Sequence, residues 1–73
     1  MIEIRLFATL REGRKKVYFF EPEKYATAGE IMTALNLRHA EVAILLINGR
    51  HSKPDTSVQA GDIVSLFPPV GGG

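Results

Sequence analysis

The sequence predicts a single α+β domain in which one helix lies across one face of a small sheet, and three stretches carry that expectation. Residues Met1 to Leu10 alternate, with Ile2, Ile4, Leu6 and Ala8 on one face and Glu3, Arg5 and Phe7 on the other, the period of a half-buried strand. Thr27 followed three residues later by Glu30 has the spacing of a capping box, which opens a helix. Ile63 to Phe67 alternates again, setting Val64 and Leu66 against Ile63, Ser65 and Phe67. Strand runs around a single helical stretch place the helix on one face of the sheet and leave the other face open.

The elements between these landmarks read in order. Arg11-Glu12-Gly13-Arg14-Lys15-Lys16 is a turn whose charges stay in water, with Gly13 supplying the backbone freedom. Val17-Tyr18-Phe19-Phe20 returns as a second strand, rich in residues that suit a pleated surface, and Pro22 closes the hairpin. In the helix, Ile31, Ala34 and Leu35 share the face that packs on the sheet, flanked by Met32 as a gap-filler, and the helix ends near Asn36 to Arg38. Val42 to Ile47 is nearly continuous apolar, which suits a strand deep in the sheet. Asn48-Gly49 is a strong hairpin signal because both residues tolerate positive φ, and Arg50 to Lys53 forms a short return strand carrying His51. Pro54 to Ser57 and Ala60-Gly61-Asp62 are turn chemistry around a buried Val58. The last strand is expected to lie centrally.

Composition excludes several function classes. The 73 residues make one domain, divided into a folded body over 1–67 and a tail over 68–73. Nine Lys+Arg against eight Asp+Glu leave a net charge of +1, so no broad field favours nucleic acid. Cysteine is absent, which excludes disulfides, thiolate metal ligands and thiol nucleophiles. The only histidines, His39 and His51, cannot make a closed zinc site without further ligands and read as surface residues. No run reaches the ~18 apolar residues of a membrane span, and the start lacks the pattern of a signal peptide, so a cytoplasmic protein is the expectation. No catalytic trio or phosphate-cradling glycine loop is present, which argues against an enzyme in its own right.

The stretch richest in functional content is the end, Phe67-Pro68-Pro69-Val70-Gly71-Gly72-Gly73. Pro68 and Pro69 cannot extend strand pairing and project the chain outward. Gly71, Gly72 and Gly73 have no Cβ, so this end fits a passage too narrow for side chains and offers the Gly73 carboxylate for activation. A glycine run alone is also what a frayed terminus looks like; its coupling to Phe-Pro-Pro-Val after an apolar strand points to function. Phe7 and Phe67 should both face the open side of the sheet, with Ile63 and one of Ile44 or Leu46, as an apolar partner-binding patch beside the tail. The alternative is that these aromatics merely cover the sheet.

Taken together, the opening strand running into Phe7-Ala8-Thr9-Leu10-Arg11-Glu12, the Ile47-Asn48-Gly49 turn, Gly61-Asp62 before the last strand and the terminal Phe67-Pro68-Pro69-Val70 with its glycines resemble the ubiquitin-like β-grasp sulfur carriers, closest to the small subunit of molybdopterin synthase. That resemblance implies a mixed sheet of four to five strands with one main helix. It implies that a ubiquitin-activating-like adenylyltransferase uses ATP and Mg to adenylate Gly73, that sulfur replaces AMP to give a thiocarboxylate, and that the large synthase subunit receives Pro68 to Gly72 as an inserted tail. No cofactor would be bound by the carrier itself, and no nucleic acid or membrane would be a partner. The glycine-only ending also resembles some thiamine-pathway sulfur carriers. A protein modifier joined through Gly73 to lysines is a third possibility of a different class.

Overall fold

The computed structural model of the protein describes residues 1–69. In chain order it contains β1 (Ile2–Leu6), a 3-10 turn (Ala8–Arg11), β2 (Val17–Phe20), α1 (Ala28–Ala34), a second 3-10 turn (His39–Glu41), β3 (Ile44–Ile47), β4 (Arg50–His51) and β5 (Ile63–Phe67). The strands form one five-stranded sheet in the order β2-β1-β5-β3-β4. β1 and β5 run parallel, and the other neighbours are antiparallel. The sheet is therefore mixed, and the last strand of the chain is its middle strand.

The period-two alternation decides which face is dry. Ile2, Ile4 and Leu6 of β1 and Val64 and Leu66 of β5 are wholly buried, in one cluster with Ile31 and Met32 of α1. Each such aliphatic side chain contributes roughly 1.5–3 kcal/mol by leaving water. A slip of one residue in the β1–β5 pairing, which sets Ile4 against Val64 and Leu6 against Leu66, would turn this whole set to solvent. That penalty fixes the register of the strand that carries the tail.

Helix α1 begins as its sequence signal requires. The Glu30 amide donates to Thr27 Oγ1, while the Glu30 carboxylate accepts from the Ala26 amide, one residue before the position a capping box usually serves. The helix ends earlier than expected. Asn36 takes a φ of 58°, its amide donates to the Thr33 carbonyl, and the Leu37 amide donates to the Met32 carbonyl, which together make a Schellman motif. Leu37 is buried beyond it and seals the core.

Other expectations are corrected. Ala8 is exposed with a φ of 53°, because β1 stops at Leu6 and the chain turns, bringing Leu10 into the core instead. Ala34 is exposed, because the helix turns Ala28, Ile31 and Leu35 inward together with Met32, the expected gap-filler. The apolar run from Val42 pairs only from Ile44, and the return strand is limited to Arg50–His51.

The Asn48-Gly49 turn has positive φ at both residues, 53° and 80°, as its hairpin type demands. The Asn48 carboxamide does more than turn the chain. Its Nδ2 donates to Asp62 Oδ1 and its Oδ1 accepts from the Ile63 amide, both at 2.9 Å. The other Asp62 oxygen accepts from the Gln59 amide at 2.8 Å. This network holds the first residue of β5 in place. Asn48→Ala should lower stability by about 1–2 kcal/mol through the left-handed backbone and the lost bonds, measured as a lower urea midpoint with an unchanged slope.

Candidate functional site

β5 ends at Phe67, where the next two residues offer no amide to continue a ladder. The strand is held on both sides up to that point. The Phe7 amide donates to the Leu66 carbonyl at 3.1 Å, and the Ala43 amide donates to the Phe67 carbonyl at 2.8 Å. Pro68 is half-buried and Pro69 exposed, so the chain leaves the middle of the sheet rather than a loose edge. Val70, Gly71, Gly72 and Gly73 lie outside the described residues.

Phe7 and Phe67 come together. Their rings stack with centroids 4.3 Å apart and planes 8° from parallel. Such pairs are worth ≈ 0.5–1.5 kcal/mol beyond the area they bury. Both rings are only half-buried. Phe7 belongs to no strand; it sits in extended backbone just before the first 3-10 turn. Ile44 lies opposite Phe67 on β3 and is 36% exposed, extending the apolar surface across the neighbouring strand. Leu46, two residues along, shares that face opposite Ser65. Ile63 is on the same face but at the other end of β5, opposite Glu3, about 13 Å along the strand from Phe67. The aromatic pair and Ile63 are therefore separate features.

Arg11, which reads as one of a solvated charge run, is part of this site. Its Nε donates to the Leu6 carbonyl at 2.7 Å, and its guanidinium carbon stands 5.4 Å from the centroid of the Phe7 ring. Nothing local in the sequence marks this role, because it depends on the 3-10 turn that follows Phe7 and on the Leu6 carbonyl to which Arg11 is tied.

On the other side of the tail root, Pro68 and Pro69 border a shallow groove of about 420 Å³ with Thr9, Leu10, Arg14 and Glu41 among its walls. Arg14 stiffens one wall by donating from Nε to the Leu35 carbonyl at 3.1 Å and from Nη1 to the Leu10 carbonyl at 3.3 Å, tying the end of α1 to the turn after β1. The Glu41 carboxylate accepts from the Arg38 amide at 2.9 Å. That hydrogen bond outweighs the opposing effect of desolvation and, with the Arg38 and Arg14 charges, holds its pKa below the ordinary value.

Among the described residues, no group of three or more His, Cys, Asp and Glu side chains is placed to hold a metal ion, and no polar or charged residue is buried. His39 and His51 are exposed. No described helix is long and apolar enough to cross a membrane. What the described residues offer here is an apolar aromatic surface beside a chain segment leaving the sheet.

Phe7→Glu or Phe67→Glu should lower affinity for a partner that docks at this platform by on the order of 2 kcal/mol, about thirtyfold, and exceed its effect on stability. Titration calorimetry beside thermal melts checks it; a large fall in melting temperature with unchanged binding would instead make these rings core residues.

The ThiS family profile matches residues 4–73. Small archaeal modifier protein 3 of Haloferax volcanii is 33% identical to this chain, covering 99% of it and 98% of the relative. Among solved structures, SAMP1 of Haloferax volcanii superposes with a TM-score of 0.76 at 29% identity, covering 99% of this chain and 98% of that one. A protein described as molybdopterin converting factor subunit 1 from Pyrococcus furiosus superposes with a TM-score of 0.68 at 26% identity, covering 94% and 97%. With the parallel pairing of first and last strands, the single helix across one face and a match that runs to Gly73, the chain belongs to the ThiS family of ubiquitin-like β-grasp proteins.

Proposed function

We propose that the protein is a sulfur carrier whose Gly73 carboxylate is activated and converted to a thiocarboxylate, and that it serves as the small subunit of a molybdopterin synthase. The observation that carries this reading is the delivery of the tail: the middle strand of the sheet ends in Phe67-Pro68-Pro69 beside the stacked Phe7 and Phe67 rings. A rigid body with an apolar platform at the tail root suits docking that threads the following residues into a partner's active site. In the first step the Gly73 carboxylate oxygen attacks the α-phosphate of ATP on an activating enzyme, and pyrophosphate leaves. A sulfur nucleophile then displaces AMP from the acyl carbon. Catalytic side chains belong to the partners in this scheme, and the carrier itself is a cytoplasmic co-substrate that binds neither ATP nor Mg.

The choice of molybdopterin is supported by the diproline before the tail and by the likeness to the Pyrococcus protein described as a converting-factor subunit. Supply of sulfur to thiamine thiazole synthesis is the alternative within the same chemistry. The modifier reading has its own support, since two of the similar Haloferax volcanii proteins bear the names small archaeal modifier protein 1 and small archaeal modifier protein 3. It shares the adenylation step and differs in the acceptor, a lysine amine in place of sulfur.

Capture of partners on an N-terminally tagged protein, with Gly73 free, separates the pathways. Enrichment of the molybdopterin synthase large subunit and of an activating adenylyltransferase is expected. Recovery of a thiazole-forming synthase in place of the large subunit would overturn the pathway and leave the chemistry standing.

A further inference from the structure

Strand β2 is an edge of the sheet, paired with β1 alone. The Leu6 amide donates to the Lys16 carbonyl, so in the antiparallel ladder Lys16, Tyr18 and Phe20 turn their backbone groups toward β1. Val17 and Phe19 turn theirs outward. These same two residues carry exposed apolar side chains on the face away from α1: Phe19 is 62% exposed and Val17 38%. Natural edges are commonly blunted by a charge or a proline within the strand. Here the four residues of β2 hold neither; charges stand only at its ends, Lys15 and Lys16 before it and Glu21 and Glu23 after it, all exposed.

Opposite charge at the two ends makes the edge complementary to its own reversed copy. We propose that β2 pairs antiparallel with β2 of a second copy of this chain about a twofold axis, joining two sheets into one. Directly opposed residues in such a pair share a face, so only registers centred on a residue keep Val17 and Phe19 on the open face. Centring on Val17 sets Lys15 against Phe19, and centring on Phe19 sets Val17 against Glu21. Centring on Tyr18 sets Val17 against Phe19 and Lys15 against Glu21, and repeats both pairs by symmetry. That register also makes Val17 and Phe19 a hydrogen-bonded pair through the backbone groups that face outward. Glu21 lies 3.5 Å from Lys24 in the single chain, but both side chains are largely exposed, and such a pair is worth little and easily shared. β1 stands between this edge and β5, so the dimer leaves Phe7, Phe67 and the tail root of both copies uncovered. The inference does not rest on the sulfur-carrier reading.

An edge this short makes a small contact, so the dissociation constant should fall on the order of 0.1–1 mM. Sedimentation velocity from about 10 μM to about 1 mM is the test, with 1 mM near the upper expected constant. The mean mass of the parent should rise toward the dimer across this range. Lys15→Glu and Glu21→Lys should each weaken self-association about tenfold or more by opposing like charges twice. An equimolar mixture of these two variants should regain the parent's association, because each then meets its opposite. A parent that stays monomeric throughout, variants that associate as the parent does, or a mixture that fails to recover overturns the proposal, and a parent that stays monomeric yet captures a basic-apolar-acidic strand of another protein assigns the edge to that partner.

Discussion

Deleting Gly73, or extending it with a C-terminal tag, should abolish sulfur loading while leaving the thermal melt of the parent unchanged. The first half is expected because adenylation needs a free carboxylate at the end of a stem without side chains, and a tag moves the charge and puts side chains where Gly73 has none. The second half is expected because, among the described residues, the core is assembled from Ile2 to Leu66 and the hydrogen bonds of β5 run up to Phe67. The assay is transfer of labelled sulfur to the protein by its activating enzyme, run beside circular dichroism. Full loading of the tagged form would sink the tail chemistry; loss of fold in the deleted form would make the tail a structural element.

The largest loss of stability should come from Leu66→Ala. Leu66 has no exposed surface and lies between Leu6 of β1 and Leu45 of β3, so its removal opens a cavity at the centre of the sheet. Such truncations cost about 2–5 kcal/mol. A 73-residue domain has roughly 4–11 kcal/mol in all, so the melting temperature should fall by about 10 °C or more. Ser65→Ala, on the open face one residue away, should stay within about 0.5 kcal/mol. A Leu66→Ala protein that melts with the parent would mean that the packing around β5 is not what holds the fold.

Much of this architecture was legible because the strands that matter most alternate cleanly. Ile2, Ile4 and Leu6 and then Val64 and Leu66 each declare one dry face, and Asn48-Gly49 and Thr27 with Glu30 mark their turns by backbone chemistry that few other residues supply. What misled was alternation that outran its strand. Ala8 continues the pattern of β1 in sequence, but the chain has already entered a 3-10 turn, and a small residue carries too little apolar surface to reveal which way it points. Ala34 misleads in the same way, while Met32, two residues before it and on the other side of the helix, fills the space beneath. At the site, the facing of Phe7 and Phe67 could be read from parity, but their stacking depends on β1 and β5 being parallel neighbours, which no local pattern states. Arg11 and the outward edge of β2 were hidden for a related reason: their roles come from which backbone groups are already satisfied by pairing.

The most direct measurement of the central claim is the intact mass of the untagged protein after incubation with its activating enzyme, ATP, Mg and a sulfur source, with the Gly73-deleted protein as control. The sulfur-carrier account predicts exchange of one terminal oxygen for sulfur in the full chain and none in the control. Joining of Gly73 to lysines of other proteins without any sulfur-bearing species would contradict it and establish the modifier reading. An unchanged mass with an activating enzyme shown to be competent would contradict both.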